Sequence, residues 1–441
     1  MFNTLLYIFL DMWNQLSESI LFLIWFVPLV FVYELPLMLL SILGILGWYK
    51  KTHFSKQKES LYHPKVSCII TCYAEGYDIR STIQTFVEQI YPGKMEIIAV
   101  VDGAFQNQLT YQVAKECQEE FKGIHNREVV ILPKWQRGGR VSTLNAGLSF
   151  ATGELVINAD ADTSFDNNMV SVVTKYFEDP NVPALGGALR VRNSKTSWLT
   201  RMQAIEYLIS MQGGKTGLAH WNLLNNISGA FGVFRRELLI KVGGWDTHTA
   251  EDLDLTIRIK QYFARNPKWK LPFATLAIGH TDVPDDMKTL VQQRLRWDGD
   301  LLFLYFRKHW PAFTPRLLGW KTFIYTLLYG FMQSVLMPFV TTIYLINIYL
   351  TFPWQAMISV TVFVYFIYLL FVSGLYAIML LAISERVKED LTLIPWLPLY
   401  PVYSFFMRFV SMFALVNELF RRSHEESSMA PWWVLKRGRK F

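Results

Sequence analysis

Leu155-Val156-Ile157-Asn158-Ala159-Asp160-Ala161-Asp162-Thr163 is the stretch from which the fold can be read. Its apolar start reads as a short buried strand. Two carboxylates, one residue apart, then stand at the carboxyl end of that strand, where open α/β sheets bind ligands. In extended backbone, side chains two apart share a face, so Asp160 and Asp162 can converge on one point. Two such carboxylates repel unless a cation sits between them. A hard divalent ion that also takes phosphate oxygens suits the place.

Around this stretch the chain alternates short apolar segments with longer polar-periodic ones. VSCIITC (66–72), MEIIAVVD (95–102), VVIL (129–132), ELVINAD (154–160) and PALGGALRV (183–191) read as strands. The stretches 78–90, 107–121 and 166–178 between them read as helices. That is the βαβ pattern of a mostly parallel sheet.

The chain as a whole is too apolar for an ordinary soluble enzyme: 52% hydrophobic, 15% aromatic, mean hydropathy +0.21. The apolar residues collect in the first 50 positions and again after about residue 317, leaving a middle of roughly 270 residues, ample for one large domain. Residues 19–49 carry a single charge, Glu34. As one helix they would span roughly 46 Å against a bilayer core of about 30 Å, enough for one tilted crossing or two short ones. No small-residue cleavage site follows a short apolar core, so an anchor is expected rather than a removed signal peptide. Residues 1–17 read as an interfacial helix or the start of a crossing. Lys50, Lys51 and Lys56 place the middle domain in the cytoplasm, at the inner or plasma membrane. The net charge of +7 sits beside the apolar segments, as membrane-surface charge facing lipid. No basic stripe interleaved with aromatics calls for nucleic acid. Cys68, Cys72 and Cys117 lack metal-ligand spacing and read as buried free thiols of a reducing compartment.

Residues 287–310 mix Arg and Lys with a broad apolar face, as a helix at the membrane surface would. Three long apolar runs follow, 322–350, 355–383 and 391–419, the last containing Arg408. An intramembrane Arg is a functional suspect by default. The expected organisation is an anchor (1–51), an α/β domain (52–284), interfacial helices (285–320), transmembrane helices (321–420) and a basic tail (421–441).

Five motifs stand in order along the middle. Thr71-Cys72-Tyr73-Ala74-Glu75 ends the first strand, and Val101-Asp102-Gly103-Ala104 the second; Asp102 can accept hydrogen bonds from a nucleobase, and Gly103 allows close backbone approach. Arg137-Gly138-Gly139-Arg140 joins a glycine turn to basic residues at a helix start, suited to phosphate oxygens. Asp160-Ala161-Asp162 is the fourth. Glu251-Asp252-Leu253-Asp254 opens a helical pattern as the fifth.

Together with Gln293-Arg294-Leu295-Arg296-Trp297, Ser228-Gly229-Ala230, Phe234-Arg235-Arg236 and Gly243-Gly244-Trp245, this set resembles the processive, membrane-embedded family 2 glycosyltransferases. These are synthases of cellulose, chitin, hyaluronan and poly-N-acetylglucosamine, and the resemblance runs from about Val66 to Trp297. It implies a GT-A type α/β domain inserted between transmembrane helices. It implies that Tyr73, Glu75 and Asp102 hold the uridine end of a UDP-sugar. Asp160 and Asp162 would meet the diphosphate through Mg²⁺ or Mn²⁺, with Arg140 and Arg296 also on the donor. Asp252 would be the general base, and Gln293, Trp297 and Glu251 would face the growing polysaccharide acceptor. Departures are Ala250 in place of the usual Thr, Arg140 for Lys, and Ala104 for Ser. Trp297 is followed by Asp298-Gly299-Asp300. The expected activity is inverting polymerisation of a nucleotide sugar with passage of the β-linked product through the membrane helices. Competing readings are transfer of one sugar to a lipid carrier, and a non-catalytic transport or scaffold subunit that keeps the fold. A separate regulatory or export subunit stays open.

Overall fold

The computed structural model describes residues 34–54, 60–246, 250–351 and 353–421, together with Tyr7, Leu10, Asp11 and Asn14. The expected interfacial helix at 1–17, most of the 19–49 run, Thr249 and the basic tail lie wholly or largely outside these residues.

Helix α1 (Leu35–Phe54) leads into strand β1 (Val66–Cys72), helix α2 (Asp78–Val87), strand β2 (Met95–Asp102), helix α3 (Gln108–Glu120), strand β3 (Arg127–Lys134), helix α4 (Arg140–Phe150) and strand β4 (Leu155–Asp160). The first four strands and their helices fall where the apolar runs put them. On β1, Val66, Cys68, Ile70 and Cys72 face one core, shared with Ile79 and Phe86 of α2 and Ala114 and Cys117 of α3. Ile69 faces the other, with Leu144 and Leu148 of α4. That two-residue alternation, apolar on both sides, is what a strand covered by helices on both faces requires. All three cysteines are buried free thiols, as expected.

The second half differs from expectation. Strand β5 (Ser164–Phe165), helix α5 (Met169–Tyr176), strand β6 (Ala184–Val191), strand β7 (Phe231–Arg235) and strand β8 (Phe273–Thr281) complete an eight-stranded sheet of order β3-β2-β1-β4-β7-β6-β8-β5. β7 runs antiparallel to β4 and β6, and β5 antiparallel to β8. The sheet is therefore mixed: four strand pairings are parallel, as the expected mostly parallel sheet requires, and three are antiparallel. β7, Phe-Gly-Val-Phe-Arg, has a glycine at its second position and an arginine at its end, and so lacks the uninterrupted apolar signal of β1 or β4. Gly232 is required there: a Cβ would come within 2.7 Å of Asn158 Oδ1 and 2.8 Å of Ile227.

Between β6 and β7 runs one long helix, α6. It begins at Trp198–Glu206 under a Ser197–Thr200 capping box, widens into π geometry over Tyr207–Gly214 and ends as Lys215–His220. Gln212 and Thr216 bind Thr275 of β8 at 3.1 and 2.8 Å. α1 crosses the last turns of α6 with backbones in contact. A Cβ on Gly44 would meet Gly217 O at 2.1 Å, and one on Gly217 would meet Ser41 O at 2.3 Å. Trp221 Nε1 donates to Leu40 O at 2.9 Å beside that crossing.

Helix α7 (Arg236–Lys241) and helix α8 (Glu251–Lys260) precede β8; helix α9 (Met287–Phe303) follows it. Then come α10 (Trp320–Thr351), α11 (Trp354–Ala382) and α12 (Tyr400–Arg421). Among the described residues three helices are long and apolar enough to cross a membrane: Trp320–Thr351, Thr361–Ala382 and Ile394–Arg421. They match the three apolar runs of the sequence. α9 is not left lying free on a surface. It packs along α12: Asp298 accepts from Ser411 at 2.6 Å, Arg307 reaches Glu418 at 3.4 Å, and Leu302 meets Leu415 and Val335 in one apolar cluster.

The two odd charges of the apolar segments find each other. Arg408 of α12 donates to Glu34 Oε1 at 2.8 Å, and Tyr368 of α11 donates to the other oxygen of Glu34. Charges in an apolar setting persist where they pair.

Candidate active site

The parallel strands deliver their side chains to one edge. β1 ends in the loop Tyr73-Ala74-Glu75-Gly76, turned sharply by positive φ at Ala74 (67°) and Gly76 (59°). For Ala74 that left-handed conformation costs roughly 1–2 kcal/mol. The turn leaves Tyr73 40% exposed, with the Arg137 guanidinium 4.1 Å above its ring. Glu75 points the other way: its Oε2 is buried without a hydrogen-bond partner. Burial pushes the Glu75 carboxyl up to about 7, and the charges of Asp162 and Asp160 add to the shift.

At the end of β2, Asp102 is turned toward its own protein. Its Oδ1 accepts from Lys134 Nζ at 2.7 Å and from Gly138 N at 2.8 Å, and its Oδ2 from Gly139 N at 2.8 Å. The carboxylate therefore fixes the Arg137-Gly138-Gly139 turn. Gly139 holds φ at 84° there, open to glycine and strained for other residues.

Arg140, the first residue of α4, joins four elements. It donates to Thr71 Oγ1 at 3.2 Å, to Asp160 Oδ1, to Gly229 O at 2.6 Å and to Glu251 Oε1 at 2.5 Å. Burial alone would lower its pKa, but the Asp160 and Glu251 carboxylates outweigh burial and hold it above the usual range. Glu251 is 4% exposed. Burial pushes its carboxyl up and Arg140 pulls it back. Only a guanidinium, with five donors in a planar fork, serves so many acceptors at once.

Asp162 follows Asp160 just past the end of β4. Desolvation by the surrounding protein, and then the charge of Asp160, push its carboxyl up to about 6. Among the described residues no group of three or more His, Cys, Asp or Glu side chains forms a metal cage. The mutual repulsion of Asp160 and Asp162 suits a cation whose remaining ligands are water and phosphate oxygens, as Mg²⁺ and Mn²⁺ take them.

Asp252 sits at the start of α8. Its Oδ2 accepts from Gly229 N at 2.9 Å and Asn226 Nδ2 at 3.1 Å, and its Oδ1 from Leu253 N at 2.6 Å. Gly229 is thus the pivot of the site. Its carbonyl binds Arg140, its N–H binds Asp252, and a Cβ would come within 3.0 Å of Glu251 and 3.3 Å of Arg140. Asp254, two residues on, turns away. It is 1% exposed and binds His309, Lys308 and Arg258, each at 2.7 Å.

Gln293, Arg296 and Trp297 lie on α9. Arg294 between them makes a bidentate pair with Glu206 of α6 at 2.8 and 2.7 Å, with its guanidinium 4.8 Å over the Trp297 ring. Tyr403 of α12 donates to the same Glu206 at 3.0 Å. Gln293 Oε1 is buried without a hydrogen-bond partner. Tyr207, next to Glu206, opens the π turn of α6 and is buried. Burial pushes its hydroxyl up to about 12, and it feels Arg294, Glu206 and Asp162 together. Arg140 thus gathers Asp160 and Glu251 directly and Asp252 through Gly229; Tyr73, Glu75 and Asp102 stand at the ends of β1 and β2; Gln293, Arg296 and Trp297 stand on a separately anchored helix. Asn226, Lys134 and Glu206 are absent from the sequence reading, because a single Asn in a loop, Lys at a strand end or Glu at a helical position carries no pattern.

Residues 63–299, more than half of the chain, match the model of glycosyltransferase like family 2. The chain belongs to that family. It is similar to the poly-beta-1,6-N-acetyl-D-glucosamine synthase of Staphylococcus epidermidis, 28% identical over 289 residues, 65% of this chain and 64% of the relative. It is also similar to the probable glycosyltransferase YdaM of Bacillus subtilis strain 168, 31% identical over 237 residues, 53% and 54% of the two chains. The match to the first spans just under two thirds of that relative's length. In fold the chain resembles the mannosyltransferase PcManGT from Pyrobaculum calidifontis in complex with GDP-Man and Mn²⁺, with a TM-score of 0.51 at 18% identity over 87% of this chain and 99% of the other. The GT-A-like mixed sheet with flanking helices is thereby established.

Proposed function

We propose that this protein is an inverting, processive glycosyltransferase that polymerises a UDP-linked sugar into a β-linked polysaccharide. The observation that carries the reading is the fixed carboxylate of Asp252. It is held by three N–H donors beside Gly229, and Gly229 O is bound by the Arg140 that also binds Asp160 and Glu251. A base and a donor-side carboxylate are thus built into one network.

The acceptor hydroxyl gives its proton to Asp252, and its oxygen attacks the sugar's anomeric carbon. The bond from that carbon to the diphosphate oxygen breaks on the opposite face, and the nucleoside diphosphate leaves with the electron pair. One base and no enzyme nucleophile suffice for inversion. Asp160 and Asp162 would hold a divalent cation, which when bound supplies positive charge for the leaving diphosphate. Arg296 would add charge to the diphosphate. Tyr73, Glu75 and Asp102 would hold the nucleoside end, Asp102 through the turn it fixes. Gln293, with a buried oxygen lacking a partner, and Trp297, with an apolar ring face, would hold the acceptor sugar, and Glu251 would line that side. Arg140, closed onto four protein partners, acts by holding the site together. The domain would stand on the cytoplasmic side of the membrane, with the product passing among α10, α11 and α12.

The name of the staphylococcal relative makes N-acetylglucosamine the first sugar to try. The test is turnover of UDP-N-acetylglucosamine, UDP-glucose and UDP-glucuronate by the purified full chain, with product sized after glycanase digestion. Polymer from one donor supports the reading. Single-sugar products on lipid, or no turnover of any donor, would overturn it.

A further inference from the structure

Asp252 Oδ2 receives two hydrogen bonds, from Gly229 N at 2.9 Å and from Asn226 Nδ2 at 3.1 Å. Oδ1 receives the Leu253 N–H at 2.6 Å. A carboxylate oxygen has two lone pairs, so Oδ2 is filled and Oδ1 keeps one for a proton. Asn226 is itself held. Its backbone N–H donates to Asn225 Oδ1 at 2.9 Å. The Thr256 hydroxyl, one turn along α8, lies 3.3 Å from Asn226 Oδ1 and 2.8 Å from Asp252 O, and accepts the Ile227 N–H at 3.1 Å. The amide therefore has its oxygen toward a hydroxyl and its nitrogen toward the carboxylate, the orientation an ionised Asp252 demands.

We infer that Asn226 is a positioning residue for sugar transfer: it fills Oδ2 of Asp252, fixes the rotation of the carboxylate and leaves Oδ1 as the atom that takes the acceptor's proton. The inference rests on the proposed role of Asp252 as base. Glu251 on the same helix is answered by Arg140, and Lys215 of α6 is 8% exposed. Asn226 is the side chain that hydrogen-bonds the Asp252 carboxylate directly.

The test uses the full chain with UDP-N-acetylglucosamine as donor, or whichever UDP-sugar turns over, and UDP binding by calorimetry as the control for folding. Asn226→Ala removes a hydrogen bond to a charged group, so kcat should fall about 10-fold to 100-fold. The donor KM and UDP affinity should stay within about threefold. Asn226→Asp, nearly isosteric, sets a second acceptor against Oδ2 in place of a donor, so kcat should fall at least as far while UDP affinity holds. If Asn226→Ala does not bind UDP, Asn226→Asp carries the test alone. A variant that binds UDP and keeps the wild-type kcat, or one that loses kcat only together with UDP affinity, would overturn the inference. Asp252→Asn separates the two claims. An active Asp252→Asn ends the role of Asp252 as base, whereas an inactive one beside unaffected Asn226 variants ends only the role of Asn226.

Discussion

Arg140 and Glu251, 111 positions apart in sequence, meet at 2.5 Å and so join the start of α4 to the start of α8. The same guanidinium binds Asp160 at the end of β4. Asp160 at the end of β4 and the helix that carries Asp252 therefore share one cation.

Arg140→Lys should show how much that sharing matters. An ammonium cannot meet four acceptors on β1, β4, the Gly229 loop and α8, so buried Glu251 loses its partner. Leaving one charge of a buried pair unpaired typically costs about 3–5 kcal/mol. A lowered thermal midpoint in detergent and at least tenfold lower turnover are expected. A variant with wild-type stability and turnover would mean that Arg140 holds nothing together.

Glu75 gives a pH signature. Its carboxyl is raised from an ordinary 4.5 to about 7 by burial, so the folded state binds this proton more tightly than the unfolded chain. The stabilising contribution is full below about pH 4.5 and is lost as pH rises to about 7. Glu75→Gln stays neutral throughout. Thermal midpoints of the variant and wild type should therefore diverge in the variant's favour between pH 4.5 and 7, then run parallel. Curves parallel over the whole range would show that the Glu75 carboxyl titrates normally.

If Asp160 and Asp162 hold the proposed divalent cation, transfer depends on that ion. EDTA should abolish polymer formation, Mg²⁺ or Mn²⁺ should restore it, and Asp162→Ala should not recover with either ion. Full turnover in EDTA would remove the cation from the reaction.

Glu34 and Arg408 test the membrane half. Glu34→Gln leaves Arg408 without its counter-charge, and breaking such a pair costs several kcal/mol, whereas replacing both by apolar residues is often neutral. Glu34→Gln should lower stability in detergent, and Glu34→Leu with Arg408→Met should regain most of it. If the double variant is as unstable as the single, the pair has a use other than holding α1 to α12.

Much of this architecture is legible in the sequence, for physical reasons. β1, β2 and β4 are readable because strands buried on both faces are largely apolar runs, β3 by its Val129-Val130-Ile131-Leu132 core, and α2 and α3 by their amphipathic pattern. β7 was not readable, since Gly232 interrupts a five-residue strand whose place depends on Asn158 across the sheet. The position of Asp252 at a helix start was visible from Glu251-Asp252-Leu253-Asp254. That Asp254 instead anchors His309 and Lys308 was not, because those partners lie more than fifty residues away. Glu34 and Arg408 each stand out as charges in apolar runs, yet only folding brings them together.

The most direct measurement is Asp252→Asn, read for binding and turnover in the same preparation. The amide has the carboxylate's size but cannot take the acceptor's proton at neutral pH, and loss of a general base typically costs about 10²–10⁴ in rate. UDP-sugar binding by calorimetry should persist within a few-fold while polymer formation falls by at least about two orders of magnitude. Turnover near wild type, or binding lost together with turnover, would contradict the assignment of Asp252 as the base.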